Sequence, residues 1–327
     1  MAKHGRTLLG IAISVIFLAL ALNGLKLDEF WEGVSTANYW WLIPGVGVYF
    51  IGVAIRTWRW YYLLRPLKEV SLRTLFPIVC IGYAGNNIYP ARAGEVLRAY
   101  ILKEQEGISV SANLATVVIE RIFDGLVMLA FVMITLPFTN FGSDYNAFVL
   151  IFSLLFFAAL AVFLTLAARP LWAERVIRWG VTRFLPTRLQ EKVMEIAVRF
   201  LDGVKSLRSG KDVVMIFFTS VIIWLLETLK YWFVMHAFPF EVPFTVLMLM
   251  NGVVNLFTSL PGAPGHIGTF DGPGIAVLVA SGVDQAIATS YTLVLHVALW
   301  LPITALGLYY LWRSRLNVRR VQEEMAV

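Results

Sequence analysis

Residues 255–274 read NLFTSLPGAPGHIGTFDGPG: five glycines, three prolines, a histidine and an aspartate set into one of the most apolar parts of the chain. Its surroundings decide what such a segment can be. Hydrophobic residues make up 59 % of the chain and charged residues 15 %, against roughly 45–50 % and about 25 % in soluble domains. The composition is that of a membrane protein. Apolar runs at 8–24, 39–64, 113–137, 147–168, 211–236 and 286–312 reach the length a helix needs to cross the hydrocarbon core. Two more apolar stretches, 72–90 and 244–281, are broken by Pro and Gly and do not read as simple spans.

The first run follows Lys3 and Arg6 but has no convincing small-residue cleavage site before Lys26, so it reads as a retained helix rather than a signal peptide. Cys80 is the only cysteine, which excludes an intramolecular disulfide and a cysteine zinc site. Basic residues mark the cytoplasmic ends of spans. They collect at the N-terminus, at Arg65, Lys68 and Arg73, along 169–210, and in the tail from Arg313 to Arg320. Segment 25–38 is acidic, and 138–146 and 237–243 contain no Lys or Arg, so these face the other side. The expected location is the cytoplasmic membrane, with both termini in the cytoplasm.

This orientation leaves 72–106 entering and returning on the cytoplasmic side, and 244–281 doing the same from the opposite face. Opposed re-entrant hairpins are a mark of inverted-repeat transporters. The expected fold is therefore all-α and polytopic: six transmembrane helices plus two oppositely oriented re-entrant helical hairpins in a single transmembrane domain, 1–327. Repeat 1 covers about 39–137 and repeat 2 about 211–312, and 169–210 is a cytoplasmic basic amphipathic segment. A faint internal match agrees with this. IRTWRWYYLL from Ile55 aligns with LETLKYWFVM from Leu226, Asn86 and Asn255 follow at similar distances, and GISVSANLAT from Gly107 resembles GVDQAIAT from Gly282.

Non-helical backbone at membrane depth must be buried in protein or line a watery cavity. Pro261 and Pro264 break the helix, and the half-helix that returns presents free N–H groups that draw anions, phosphate included. His266, Asp271 and Asn255 are thereby candidate binding residues, unless the loop is a purely structural turn. The cytoplasmic counterpart GNNIYPARAGEVLRAY, from Gly85, supplies Asn86, Asn87, Arg92, Glu95 and Arg98. The arginines either pair with Glu95, receive a phosphate headgroup in the bidentate manner, or sit at the headgroup level. Ionisable groups inside the spans extend the set. Glu120 and Asp124 share a helix face beside Arg121, Glu227 and Lys230 are spaced to pair, and His296 occupies a place in its span comparable with Glu120. Glu120, Asp124, Glu227, Lys230 and His296 form either a structural ion-pair network or a proton path.

The run YPARAGEVLRAYILKEQEGISVSANLATVVIERIFD, with LPGAPGHIGTFDGPG further on, resembles the lysylphosphatidylglycerol synthase transmembrane-domain family of flippase-like membrane proteins, over roughly 5–312. The resemblance rests on P-x-R-x-G-E-x-x-R, then E-R-x-x-D, and marks Pro90, Arg92, Gly94, Glu95, Arg98, Glu120, Arg121 and Asp124. In its second loop the family often has S-P-G-G-x-G followed by Glu, where this chain has Gly265-His266-Ile267-Gly268 and Asp271. Bifunctional members carry a soluble aminoacyl-transferase domain, for which no room is expected before Val327. The resemblance implies a lipid translocator that moves a phosphorylated headgroup between leaflets, with anionic phospholipid or polyprenyl phosphate as partner and Arg92, Arg98 and Arg121 as phosphate ligands. The alternatives are a membrane-embedded glycosyl- or aminoacyl-transferase, with Glu95 or Asp271 as base, and a membrane partner of a separate lipid-modifying enzyme. A homodimer follows only by family analogy. No nucleotide-binding loop, metal motif, cofactor or nucleic-acid partner is expected, and no residue is assigned a catalytic role.

Overall fold

A computed structural model describes residues 22–89, 93–135, 170–187, 210–259 and 263–314, together with 12, 14–19, 154, 158, 190, 191 and 193–195. Nearly all of the span expected at 147–168 and much of that at 8–24 lie outside these residues, as do Pro90, Arg92 and the tail beyond Ser314. The described residues are helical, with no strand among them. In chain order the helices are α1 (Leu27–Thr36), α2 (Leu42–Leu64, after a 3-10 turn at Tyr39–Trp41), α3 (Leu72–Ile88), α4 (Ala93–Glu106) and α5 (Val110–Thr135). There follow α6 (Pro170–Phe184), α7 (Gly210–Met235), α8 (Phe244–Phe257), a 3-10 turn at Pro264–His266, α9 (Asp271–Ala280) and α10 (Gln285–Arg313).

Length separates two kinds of helix. The helices α2, α7 and α10, of 23, 26 and 29 residues, are long and apolar enough to cross a membrane. Helix α5 has 26 residues but carries Glu120, Arg121 and Asp124 within its apolar sequence. The broken stretches instead form α3 and α4, of 17 and 14 residues, and α8 and α9, of 14 and 10. At about 1.5 Å per residue each of these is shorter than the ~30 Å hydrocarbon core.

The packing runs in matched pairs. Helix α2 lies on α7; α3 pairs with α4, and α8 with α9; α4 rests on α5, and α9 on α10. The entering halves cross over: α3 packs on α10 and α8 on α5. Local chemistry is matched as well. Gly107 and Gly282, both in the left-handed region at φ 73° and 90°, follow the returning helices α4 and α9, where a side chain would be strained. Two residues later Ser109 and Asp284 cap the next helix, through Ala112 N (3.3 Å) and Ala286 N (2.8 Å).

Segment 25–38, read from sequence only as a connection, contains α1. Its Phe30 carbonyl accepts from Ser290 Oγ at 3.0 Å, which ties it to the start of α10, while Leu27 and Trp31, four apart, face outward. The basic amphipathic segment contributes α6, whose exposed Trp172, Val176 and Trp179 recur at helical spacing with Arg175 and Arg178 between them.

Ile43, Ile51, Val118, Val214, Phe218, Ile222, Val297 and Leu301 all point outward. In lipid such residues are at home, and helix association must come from close packing and polar contacts, since burying apolar surface away from lipid gains little. Gly94 shows how close that packing is. A Cβ there would overlap the Gly82 carbonyl oxygen and stand 2.5 Å from Asn86 N. Gly94→Ala should therefore part α3 from α4 at a cost of about 1–3 kcal/mol or more. Thermal unfolding in detergent should fall for this variant and hold for Gly125→Ala, where a Cβ meets nothing within 4 Å.

Candidate functional site

Arg56 and Arg59 sit one turn apart on α2, and both reach α5. Arg59 grips Asp124 with two nitrogens, at 2.6 and 3.1 Å, donates to Ser220 Oγ at 2.6 Å, and lies 3.6 Å from Glu120. Arg56 and Arg121 each approach the same Asp124 at 3.5 Å, and Trp224 Nε1 donates to it at 3.1 Å. Glu120 accepts from Arg98 of α4 at 2.7 Å, and Glu95 lies 3.5 Å from Arg98 and 3.8 Å from Arg121. On α7, Glu227 takes Arg56 at 3.2 Å and also pairs with Lys230. Aromatic faces cover the cations: Arg98 over Trp60 at 4.3 Å, Lys230 over Tyr49 at 4.4 Å, Arg56 over Trp224 at 4.9 Å.

An isolated charge at this depth would be expelled or neutralised, so the pairing is what permits it. Among the described residues the network joins five cations (Arg56, Arg59, Arg98, Arg121, Lys230) to four carboxylates (Glu95, Glu120, Asp124, Glu227), one positive charge more than negative. The Nε donors of Arg56, Arg98 and Arg121 have no hydrogen-bond acceptor among the described residues.

Above the network lies a cavity of about 170 Å³. The sequence-predicted residues Asn86, Asn87, Glu95, Arg98, Arg121, Asn255 and His266 line it, and so do Glu227, Lys230 and His296. Glu120 and Asp124 are buried in the network and take no part in the lining. Arg92 lies outside the described residues. Arg121 is the most open of the charged groups in the network, with 36 % of its side chain exposed.

The Pro264–His266 turn, between α8 and α9, also lines the cavity. Gly265 and His266 are both left-handed, at φ 71° and 60°. His296 of α10 holds this turn: its Nε2 meets the Gly265 carbonyl at 2.7 Å and its Nδ1 meets Asp271 Oδ1 at 2.7 Å, while Phe270 lies against the ring. The other Asp271 oxygen accepts from Gly268 N at 2.8 Å. The Asp271 carboxylate turns back onto the loop before α9, at Gly268 N, and stands behind His296, 1 % exposed and off the cavity wall. On α10, Trp300 Nε1 donates to the Asn87 carbonyl at 3.4 Å, and the Asn87 amide donates to Thr304 Oγ1 at 2.8 Å. The ends of α3 and of the second turn thus meet on one face of α10.

Arg56 and Arg59 were missing from the sequence-predicted set. Their i,i+3 spacing within a span is the same signal that Glu227 and Lys230 carry, but they stand next to the basic end of the span and read as part of it. Asn251 was missed too. Fully buried, its amide donates to Thr228 Oγ1 at 3.0 Å, and its carbonyl and side-chain oxygens both receive the Asn255 amide at 2.8 Å.

Residues 7–307 match the family described as the lysylphosphatidylglycerol synthase TM region. Among curated proteins, a UPF0104 membrane protein of Methanothermobacter thermautotrophicus is 26 % identical over 93 % of this chain and 94 % of its own length. A second UPF0104 membrane protein, from Methanocaldococcus jannaschii, is 24 % identical over 91 % of both chains. The Haloferax volcanii protein named glycosyltransferase AglD is 24 % identical over 87 % of this chain but only 52 % of its own length. With its apolar outer surface and spanning-length helices, the chain is an integral membrane protein and belongs to the lysylphosphatidylglycerol synthase TM region family.

Proposed function

We propose that the protein is a lipid translocator, in which a phosphorylated headgroup crosses through the cavity between two re-entrant hairpins while its acyl or prenyl tails stay in the membrane. The observation that carries this reading is the cavity itself. It is lined by α3, α4, α8 and the Pro264–His266 turn and backed by an ion-pair network that, among the described residues, has one cation in excess and guanidinium Nε donors without acceptors. A phosphate oxygen suits such donors, and arginine holds it with a fixed fork.

The hairpin reading draws support from the short helices α3–α4 and α8–α9, and the inverted repeat from the matched packing of α2–α5 with α7–α10. The distribution of Lys and Arg favours a cytoplasmic position for the open end of the α3–α4 pair, near Arg73 and Lys103, for α6 and for both termini. There the exposed tryptophans and arginines of α6 suit an anionic headgroup layer.

The purified protein in vesicles that contain fluorescent phospholipids or a labelled polyprenyl phosphate should exchange at least one of these probes between leaflets, with lipid mass unchanged. A neutral diacylglycerol analogue measures background. Exchange no faster than in protein-free vesicles for every phosphorylated probe would overturn the proposal. The match to a protein named glycosyltransferase supports a second reading, a membrane-embedded transferase. Half of that relative lies outside the match. A transferase would change the mass of the lipid, so mass spectrometry of the same vesicles separates the two.

A further inference from the structure

We infer that Asp271 and His296 form a proton-binding site that fastens the Pro264–His266 turn against α10, so that a proton is the second ligand of the cavity. The inference begins from hydrogen-bond bookkeeping. A backbone carbonyl only accepts, so the 2.7 Å contact between His296 Nε2 and the Gly265 oxygen requires a proton on Nε2. The 2.7 Å contact between Nδ1 and Asp271 Oδ1 requires a second proton, on the ring or on the carboxyl. The carboxyl cannot turn to relieve this, because its other oxygen receives Gly268 N–H. Flipping the ring would put carbon where both contacts need nitrogen.

Both contacts therefore exist only while the pair holds two protons and is neutral overall. Loss of one, to water in the cavity that His296 lines, leaves a net negative charge. One lone pair must then face an acceptor, either the Gly265 carbonyl or the Asp271 carboxylate. The turn responds because Gly265 and His266 already occupy left-handed backbone, and its other neighbour on α10, Trp300, bonds the end of α3. Breaking the His296–Gly265 contact frees the turn from α10 at the point where it meets Asn87.

Where the translocator reading holds, the consequence is linkage. A neutral pair tolerates an anionic headgroup in the cavity and a deprotonated pair repels it, so proton and headgroup favour each other's binding by the same factor. That part rests on the proposed function; the latch itself does not.

Other titratable groups face the same cavity: His266 on the turn, Tyr49 and Arg56 on α2, Tyr83 on α3, Glu95 and Arg98 on α4, Arg121 on α5, and Glu227, Lys230 and Tyr231 on α7. Asp271→Asn isolates the pair from all of them. An asparagine amide can donate to Nδ1 while its oxygen keeps Gly268 N–H, which satisfies both ring nitrogens with a neutral imidazole and no removable proton. Spin labels at Ile88→Cys and Ile267→Cys, both exposed positions, in a Cys80→Ala background report the distance between the two hairpin ends in nanodiscs by double electron–electron resonance. Between mildly acid and mildly alkaline pH, the otherwise native protein should gain a longer-distance population. Asp271→Asn should keep the short distance throughout, and His296→Ala should show the longer one at every pH. A distribution that ignores pH in the native pair, or a pH response that persists in Asp271→Asn, would overturn the inference. Neither result depends on which lipid, if any, the protein moves.

Discussion

Asp124→Leu should destabilise the protein by about 3–5 kcal/mol, the loss expected when one member of a buried ion pair is removed and its partners are left behind. Asp124 is the anion shared by Arg59, Arg56 and Arg121, and it also takes the indole N–H of Trp224. The loss is not spread evenly. Arg56 keeps Glu227 and Arg121 keeps Glu95, but Arg59, fully buried, is left with Glu120 at 3.6 Å, which Arg98 already holds at 2.7 Å. Removing the second charge should therefore undo much of the damage. Arg59→Leu/Asp124→Leu should unfold in detergent closer to the native midpoint than Asp124→Leu does, since exchange of a whole buried pair for apolar side chains is often near neutral. A native midpoint for Asp124→Leu would mean that water, not Asp124, compensates the arginines.

This network divides what the sequence discloses from what it does not. Glu227 with Lys230, and Glu120 with Asp124 on one face, were legible because helical spacing alone brings them together. The matched glycines at 107 and 282 were legible too, as were the spanning-length helices α2, α7 and α10, because length and apolar content suffice. Contacts made only by the tertiary fold were not. Arg56 and Arg59 gain their meaning from helices that follow at least 60 residues later in sequence, Asp124 lying 65 residues beyond Arg59. The contacts of Asp271 were illegible for the same reason. Read locally it was a ligand at the mouth of a hairpin, whereas His296, 25 residues on, turns it inward. Helix α1 was missed because ten amphipathic residues in an acidic connection are too few for a span.

An asymmetry also separates the two short-helix pairs, α3–α4 and α8–α9. In the first, a cation on the returning helix meets an acid on the closing helix, Arg98 with Glu120; in the second the order is reversed, Asp271 with His296. Arginine stays charged at every accessible pH and histidine does not. The Arg98–Glu120 contact thus keeps its cation at every pH, while the Asp271–His296 contact, on the inference above, depends on a proton.

Arg121→Ala should leave the fold nearly intact and slow exchange of phosphorylated lipid about 10- to 100-fold. The fold tolerates the change because neither partner is orphaned: Glu95 retains Arg98, and Asp124 retains Arg59 and Arg56. The rate falls because Arg121 is the network's most open cation, with an unsatisfied Nε, on the cavity wall. A hydrogen bond to a charged group contributes about 1.5–3 kcal/mol, and each ~1.36 kcal/mol is tenfold in rate. Arg121→Lys keeps the charge without the planar fork and should fall between the two. Leaflet exchange in vesicles, with the melting temperature measured alongside, decides the matter. Native exchange in Arg121→Ala would remove this residue from the path of the headgroup, and a collapsed melting temperature would make it a structural member of the network instead.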